Sequence, residues 1–207
     1  MKDQSKKTLK KMKQHPGKTI RPCKGVKGLS IVANIPKCDR SKCVYPEYMH
    51  LLMGILKKFM FLWFDTSDRD EWSLMKGQDD IDKFLENIQV PDYVTRIPRP
   101  TTTFKHWKAN ECRSFILYFS TVIFSRVMKK EYFQHGILLV SSLYLLLQSS
   151  VPLEDIERAN VMLRLFVRDF AKLYPPQHLT YNFHNLLHLP LTVVRWGPLW
   201  SNSAFPL

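Results

Sequence analysis

The sequence predicts a mainly α-helical body behind a basic lead-in, and three observations carry that prediction. From Tyr48 onward apolar residues recur at three- and four-residue steps, the period of a helix with one buried face. Prolines and glycines fall between those periodic stretches rather than inside them. Runs that alternate or cluster β-branched residues as a strand would are few. With 207 residues, 45% hydrophobic and 24% charged, the chain can bury a real core, which excludes a disordered chain, a collagen or a disulfide scaffold.

Residues 1–42 are the lead-in. They hold 13 basic and 2 acidic residues, whereas 43–207 hold 18 and 16, so the net charge of +13 divides into +11 and +2. Five lysines (Lys6, Lys7, Lys10, Lys11 and Lys13) fall within eight positions. Such a run stays solvated unless it meets a polyanion, because like charges repel and little apolar surface is there to bury. It reads as a nuclear address or a phosphate clamp, or more simply as a solubilising tail. No apolar stretch follows the charges as in a signal peptide. Pro16-Gly17, Pro22, Gly25, Gly28 and Pro36 break any helical period there.

The helical body follows in 43–207. Met49, Leu52, Met53, Ile55, Leu56, Phe59, Met60 and Trp63 predict a helix from Tyr48 to about Phe64, with Pro46 as a start signal. Asp65 to Asp80 is a polar, acidic connector. Ile81, Phe84, Leu85 and Ile88 suggest a short helix over Asp80 to Ile88, stopped by Pro91, Pro98 and Pro100. Lys108 to about Met128 is helical in pattern, with Phe115, Ile116, Phe119, Val122, Ile123 and Val127 as its buried face. Tyr132 to Leu147 is a second strongly apolar helix. Both apolar stretches fall short of the roughly 20 residues that cross a bilayer, so they read as core helices packed on one another. Pro152 opens the next helix as its first residue, with Glu154, Asp155 and Glu157 near the positive end of the dipole and Ile156, Leu163, Phe166, Val167 and Phe170 as its buried stripe. Pro175-Pro176 ends it. A last apolar helix over Leu179 to Val194 carries two histidines.

Few residues suggest chemistry. His184 and His188 lie four apart, a helical spacing that offers two imidazoles to a metal such as Zn²⁺, or that simply packs two hydrogen-bonded rings. Glu47 and His50 stand at the mouth of the first helix, where the acid either binds a divalent ion or satisfies the helix N-terminus. Glu111 reads as a first-turn acid with a nearby Arg as partner. Cys38 and Cys43 have a spacing that zinc knuckles use, but no matching pair follows; with Cys23 and Cys112 they fit reduced thiols of an intracellular protein. No P-loop, dinucleotide fingerprint or nucleophile elbow occurs.

Several segments follow one another in a recognisable order: Gly25-Val26-Lys27-Gly28, then Glu47-Tyr48-Met49-His50 leading into Leu62-Trp63-Phe64-Asp65, then Ile97-Pro98-Arg99 and Trp107-Lys108-Ala109 with Glu111, Arg113, Phe115, Leu117 and Tyr118. Asn182-Phe183-His184-Asn185-Leu186-Leu187-His188-Leu189 and Gly197-Pro198-Leu199-Trp200 with Ser203-Ala204-Phe205 complete the succession. It resembles transposase-derived proteins of the CACTA (En/Spm-like) superfamily, from about Gly25 to the last residue. The resemblance implies an RNase H-like α/β nuclease core with helical insertions, of which this chain is the helical portion, truncated at both ends. It also implies DNA as partner, a nuclear location and two Mg²⁺ ions held by carboxylates.

The resemblance places Glu47 and His50 on the family's Asp-x-Met-His signature, with Glu in place of Asp. It places His184 and His188 on a paired-His segment comparable to zinc-supporting histidines of related recombinases. The family's acid upstream of Gly25 and its acid after the Ser-Ala-Phe segment have no counterpart in this sequence. The expectation is therefore a transposase-derived fragment without strand transfer. The alternative is a non-enzymatic helical module that binds nucleic acid or protein and carries a basic N-terminal arm.

Overall fold

The computed structural model describes residues 35–36, 45–67, 69–90, 94 and 97–204. The lysine run and Cys23, Cys38 and Cys43 lie outside these residues. The backbone divides after Val44, and the fold below is that of the unit from Tyr45 onward. Among the described residues every regular element is helical, as the 3.6-residue periodicity requires.

Helix α1 spans Tyr48–Phe64, the predicted limits, and buries eleven of its seventeen residues. After a turn-rich connector and a 3₁₀ turn at Met75–Gly77 comes α2, Gln78–Asn87. Its buried Asp82 accepts hydrogen bonds from the backbone N–H and the hydroxyl of Thr101 (2.6 Å to the hydroxyl), which ties α2 to the 3₁₀ segment Thr101–His106.

The stretch expected as one helix from Lys108 to Met128 is three pieces end to end: α3 (Ala109–Ser114), a π-helical turn (Phe115–Phe119) and α4 (Ser120–Val127). The π-turn inserts extra rotation and changes the buried face after it. Phe124 goes into the core, while Val122 and Val127, expected inside, are 40% and 38% exposed.

Helices α5 (Lys130–Leu146) and α6 (Leu153–Leu173) are joined by a short loop and make the broadest helix–helix interface. Pro152 is the residue before α6 rather than its first helical one; the predicted stripe of Ile156, Leu163, Phe166 and Phe170 is buried, with Val167 at its half-buried edge. No helix among the described residues is long and apolar enough to cross a membrane.

The final predicted helix is two: α7 (Tyr181–Leu186) and α8 (Leu189–Trp196), preceded by a 3₁₀ turn at Pro176–His178. Pro190 explains the break, since it has no N–H for the carbonyl of Leu186 and its ring would collide with it. Gly197 ends α8 at φ +84°, ψ −171°, a conformation open essentially only to glycine.

Phe59 of α1 stands at the centre of the core. Its ring centroid lies 5.0 Å from Trp63, 5.4 Å from Tyr174, 5.7 Å from Phe170 and from Phe183, 6.0 Å from Phe166 and 6.2 Å from His135. His135 is itself buried, stacked on Phe166 at 4.3 Å, and its Nε2 donates to the Phe166 carbonyl at 2.8 Å. Beside this cluster an apolar cavity of about 40 Å³ reaches Gly136 of α5.

Candidate functional site

Of the described residues singled out by sequence, Glu47 and His50 lie at the N-terminus of α1, while Glu111 and His184 lie on α3 and α7, which pack against that helix. At its N-terminus, Glu47 has extended backbone and serves as N-cap. Its carboxylate accepts from Met49 N–H at 3.1 Å, from His50 N–H at 2.8 Å and from His50 Nδ1 at 2.7 Å. Capping is what an anion at a helix N-terminus does, because the first-turn N–H groups have no partner within the helix. Of the two readings open for Glu47 and His50, this geometry is that of the helix cap.

A distant segment joins this cap. The backbone N–H of Ala204 reaches Glu47 Oε1 at 3.4 Å across 157 positions. Tyr48, 2% exposed, holds its hydroxyl beside Arg113 and Ser203; burial raises its pKa, partly offset by the Arg113 charge. Parts of three segments named above thus meet at one point: Glu47 and Tyr48, Arg113, and Ser203 with Ala204.

Glu111 is 3% exposed and has a different partner from the one its neighbourhood suggests. Arg113, two residues on, turns toward Tyr48; Arg99, twelve residues upstream, grips Glu111 with Nε at 2.7 Å and a second guanidinium nitrogen at 3.1 Å. Arg99 also donates to the His106 carbonyl, and Glu111 accepts from Lys108 N–H at 2.8 Å. Burial pushes the Glu111 carboxyl up, but the Arg99 and Lys108 hydrogen bonds together outweigh it and hold the group below the usual carboxylate range. The arrangement locks residues 97–111 into one brace along α1. Spacing alone did not reveal it, because the Arg and the Glu belong to separate elements.

The two histidines do come together. His184 and His188 place their Nε2 atoms 3.2 Å apart, rings nearly perpendicular, despite the break between α7 and α8. Two Zn–N bonds of 2.0–2.1 Å at a tetrahedral angle separate their nitrogens by about 3.3–3.4 Å, close to this distance. His188 has its pKa lowered by burial and by His184, which favours the neutral form that ligation needs. The same 3.2 Å is also the length of a hydrogen bond between the two rings, and among the described residues no group of three or more His, Cys, Asp or Glu that could hold a metal converges on one point. Gly54 of α1 makes room for this segment: a Cβ there would lie 2.2 Å from Asn182 Nδ2.

Cys112 is buried in an apolar setting that pushes its thiol up to about 12, so it is an inert core residue. No family model, no curated protein and no solved structure matches this chain.

Proposed function

We propose that this protein is a transposase-derived relative of DNA cut-and-paste nucleases that no longer cleaves DNA, its helical body corresponding to the helical portion of an RNase H-like core. What supports the ancestry is the convergence of Glu47, Arg113, Ser203 and Ala204 from segments up to 157 positions apart, since those segments carry the resemblance. One observation carries the loss of cleavage: the Glu47 carboxylate is closed upon its own helix by two N–H groups and the His50 ring. A magnesium ion would have to displace these bonds, and the residues around Glu47 do not fit a two-metal site.

The His184 and His188 pair fits zinc better, as a structural rather than a reactive ion, with its remaining ligands coming from other residues or water. A nuclear location and contact of Lys6, Lys7, Lys10, Lys11 and Lys13 with DNA belong to the same proposal.

The test is nicking of supercoiled plasmid by the full chain with added Mg²⁺ or Mn²⁺. The expected result is no nicking. Metal-dependent nicking that disappears in Glu47→Ala would overturn the inactive reading. Binding to nucleic acid or to a captured protein, without cleavage, fits both this reading and a plain binding module. The two separate by zinc: stoichiometric zinc lost in the His184→Ala/His188→Ala variant favours the recombinase ancestry.

A further inference from the structure

Helix α1 carries one stripe that is exposed or half-buried rather than buried: His50, Gly54, Lys57, Lys58 and Phe61, related by steps of three and four. The segment Thr101–His106 flanks that helix on one side, and α7 packs against it as well. Lys57 Nζ donates to the Lys105 carbonyl at 3.2 Å, and His178 has its ring centroid 6.1 Å from Phe61, so both flanks reach the stripe. Lys58 lies over the Phe61 ring at 5.3 Å.

These three pieces of chain share a charge bias. Residues 48–64, 97–108 and 175–188 contain no Asp and no Glu, yet hold five Lys or Arg and five His. The body as a whole is nearly neutral, so most of its carboxylates lie in other segments of the sequence, including α2 and α6. The acids that border the stripe are already engaged: Glu47 by its cap, Glu111 by Arg99 and Asp65 by Lys105 at 2.7 Å. No carboxylate among the described residues reaches Lys57 or Lys58 within ion-pair distance. Tyr181, 75% exposed, stands at the edge with its ring 5.9 Å from His184.

We infer that this face of the folded body binds single-stranded nucleic acid, with Lys57, Lys58 and Lys105 on successive phosphates and Tyr181 stacked on a base. Among the described residues Lys57 and Lys58 have no carboxylate partner to give up, Lys105 exchanges its exposed pair with Asp65, and an exposed aromatic ring offers a platform for any base. The inference goes beyond the nuclease ancestry and does not require it. It also assigns a binding role to the body, separate from the lysine run.

The test is anisotropy of a labelled single-stranded oligonucleotide with the full chain, across a salt series. Each lost phosphate contact flattens the log–log salt slope by about 0.7, so Lys57→Gln/Lys58→Gln/Lys105→Gln should flatten it by about 2 and weaken binding roughly a hundredfold at about 0.1 M salt. Tyr181→Ala should weaken binding by roughly tenfold with the slope unchanged. Lys76→Gln/Lys83→Gln/Lys130→Gln, lying outside these segments, should change it less than about threefold. If the first triple variant loses its helical circular dichroism, Tyr181→Ala alone carries the test, since so exposed a ring leaves the fold intact. An unchanged slope and affinity in the triple variant, no effect of Tyr181→Ala, or tighter binding to duplex than to single strand each overturns the inference.

Discussion

Replacing Phe59 with alanine tests the core directly. Its ring has six ring neighbours within 6.2 Å, contributed by α1, α5, α6, the residue after α6, and α7. Deleting a buried Phe side chain costs about 3–5 kcal/mol, a transfer term plus a term for the cavity that fails to collapse. Here collapse is hindered, because the neighbours are rings fixed against one another and a cavity of about 40 Å³ already adjoins the site. The upper part of that range, about 4–5 kcal/mol, is therefore expected. For a body of this size each kcal/mol lowers the melting temperature by about 2–4 °C, giving a fall of roughly 10–20 °C. Phe59→Leu, which keeps most of the volume, should cost less than about 1.5 kcal/mol. Val161→Ala on the outside of α6 should stay within about 0.5 kcal/mol. Urea unfolding followed by circular dichroism measures all three. A loss below about 2 kcal/mol for Phe59→Ala would refute the packing described, since a ring so enclosed cannot be removed that cheaply.

Two glycines in helices should respond in opposite directions. A Cβ on Gly136 meets nothing within 4 Å, so Gly136→Ala should stabilise by about 0.5–1 kcal/mol through reduced backbone entropy, whereas Gly54→Ala drives a methyl group into Asn182 and should destabilise by about 1–3 kcal/mol; thermal unfolding of the two variants settles the sign of each. Burial lowers the pKa of His135 more than its hydrogen bond to Phe166 raises it. The unfolded chain, with an ordinary histidine, then binds more protons below about pH 6.5, so this contribution to stability is present above that pH and is lost as pH falls through it toward the lower folded value. Denaturant midpoints measured between about pH 7.5 and 5.5 should fall less steeply in His135→Leu than in the parent, and equal slopes would refute the assignment.

Much of this fold was legible in the sequence. The limits of α1 follow from a long apolar period bounded by Pro46 and the polar connector, and α6 is fixed by Pro152 and Pro175-Pro176 in the same way. Local physics is enough there, because a helix with one apolar face needs no knowledge of what covers it. The split at Pro190 was legible in principle and was masked by the apolar run around it. The π-turn at Phe115–Phe119 was not: only packing against neighbouring helices decides whether Phe124 or Val122 turns inward.

For the candidate site the division is similar. Histidine spacing alone predicted that His184 and His188 would meet, because four residues of nearly helical chain bring side chains to one side even through a bend. The Arg99 to Glu111 grip, the reach of Ala204 to Glu47 and the seat of His135 needed the tertiary structure, since each joins groups from separate elements. So did the basic face. Each of its three segments is visibly free of acids when read alone, but charges act over distances of several ångströms in space, and only the fold sets those segments side by side.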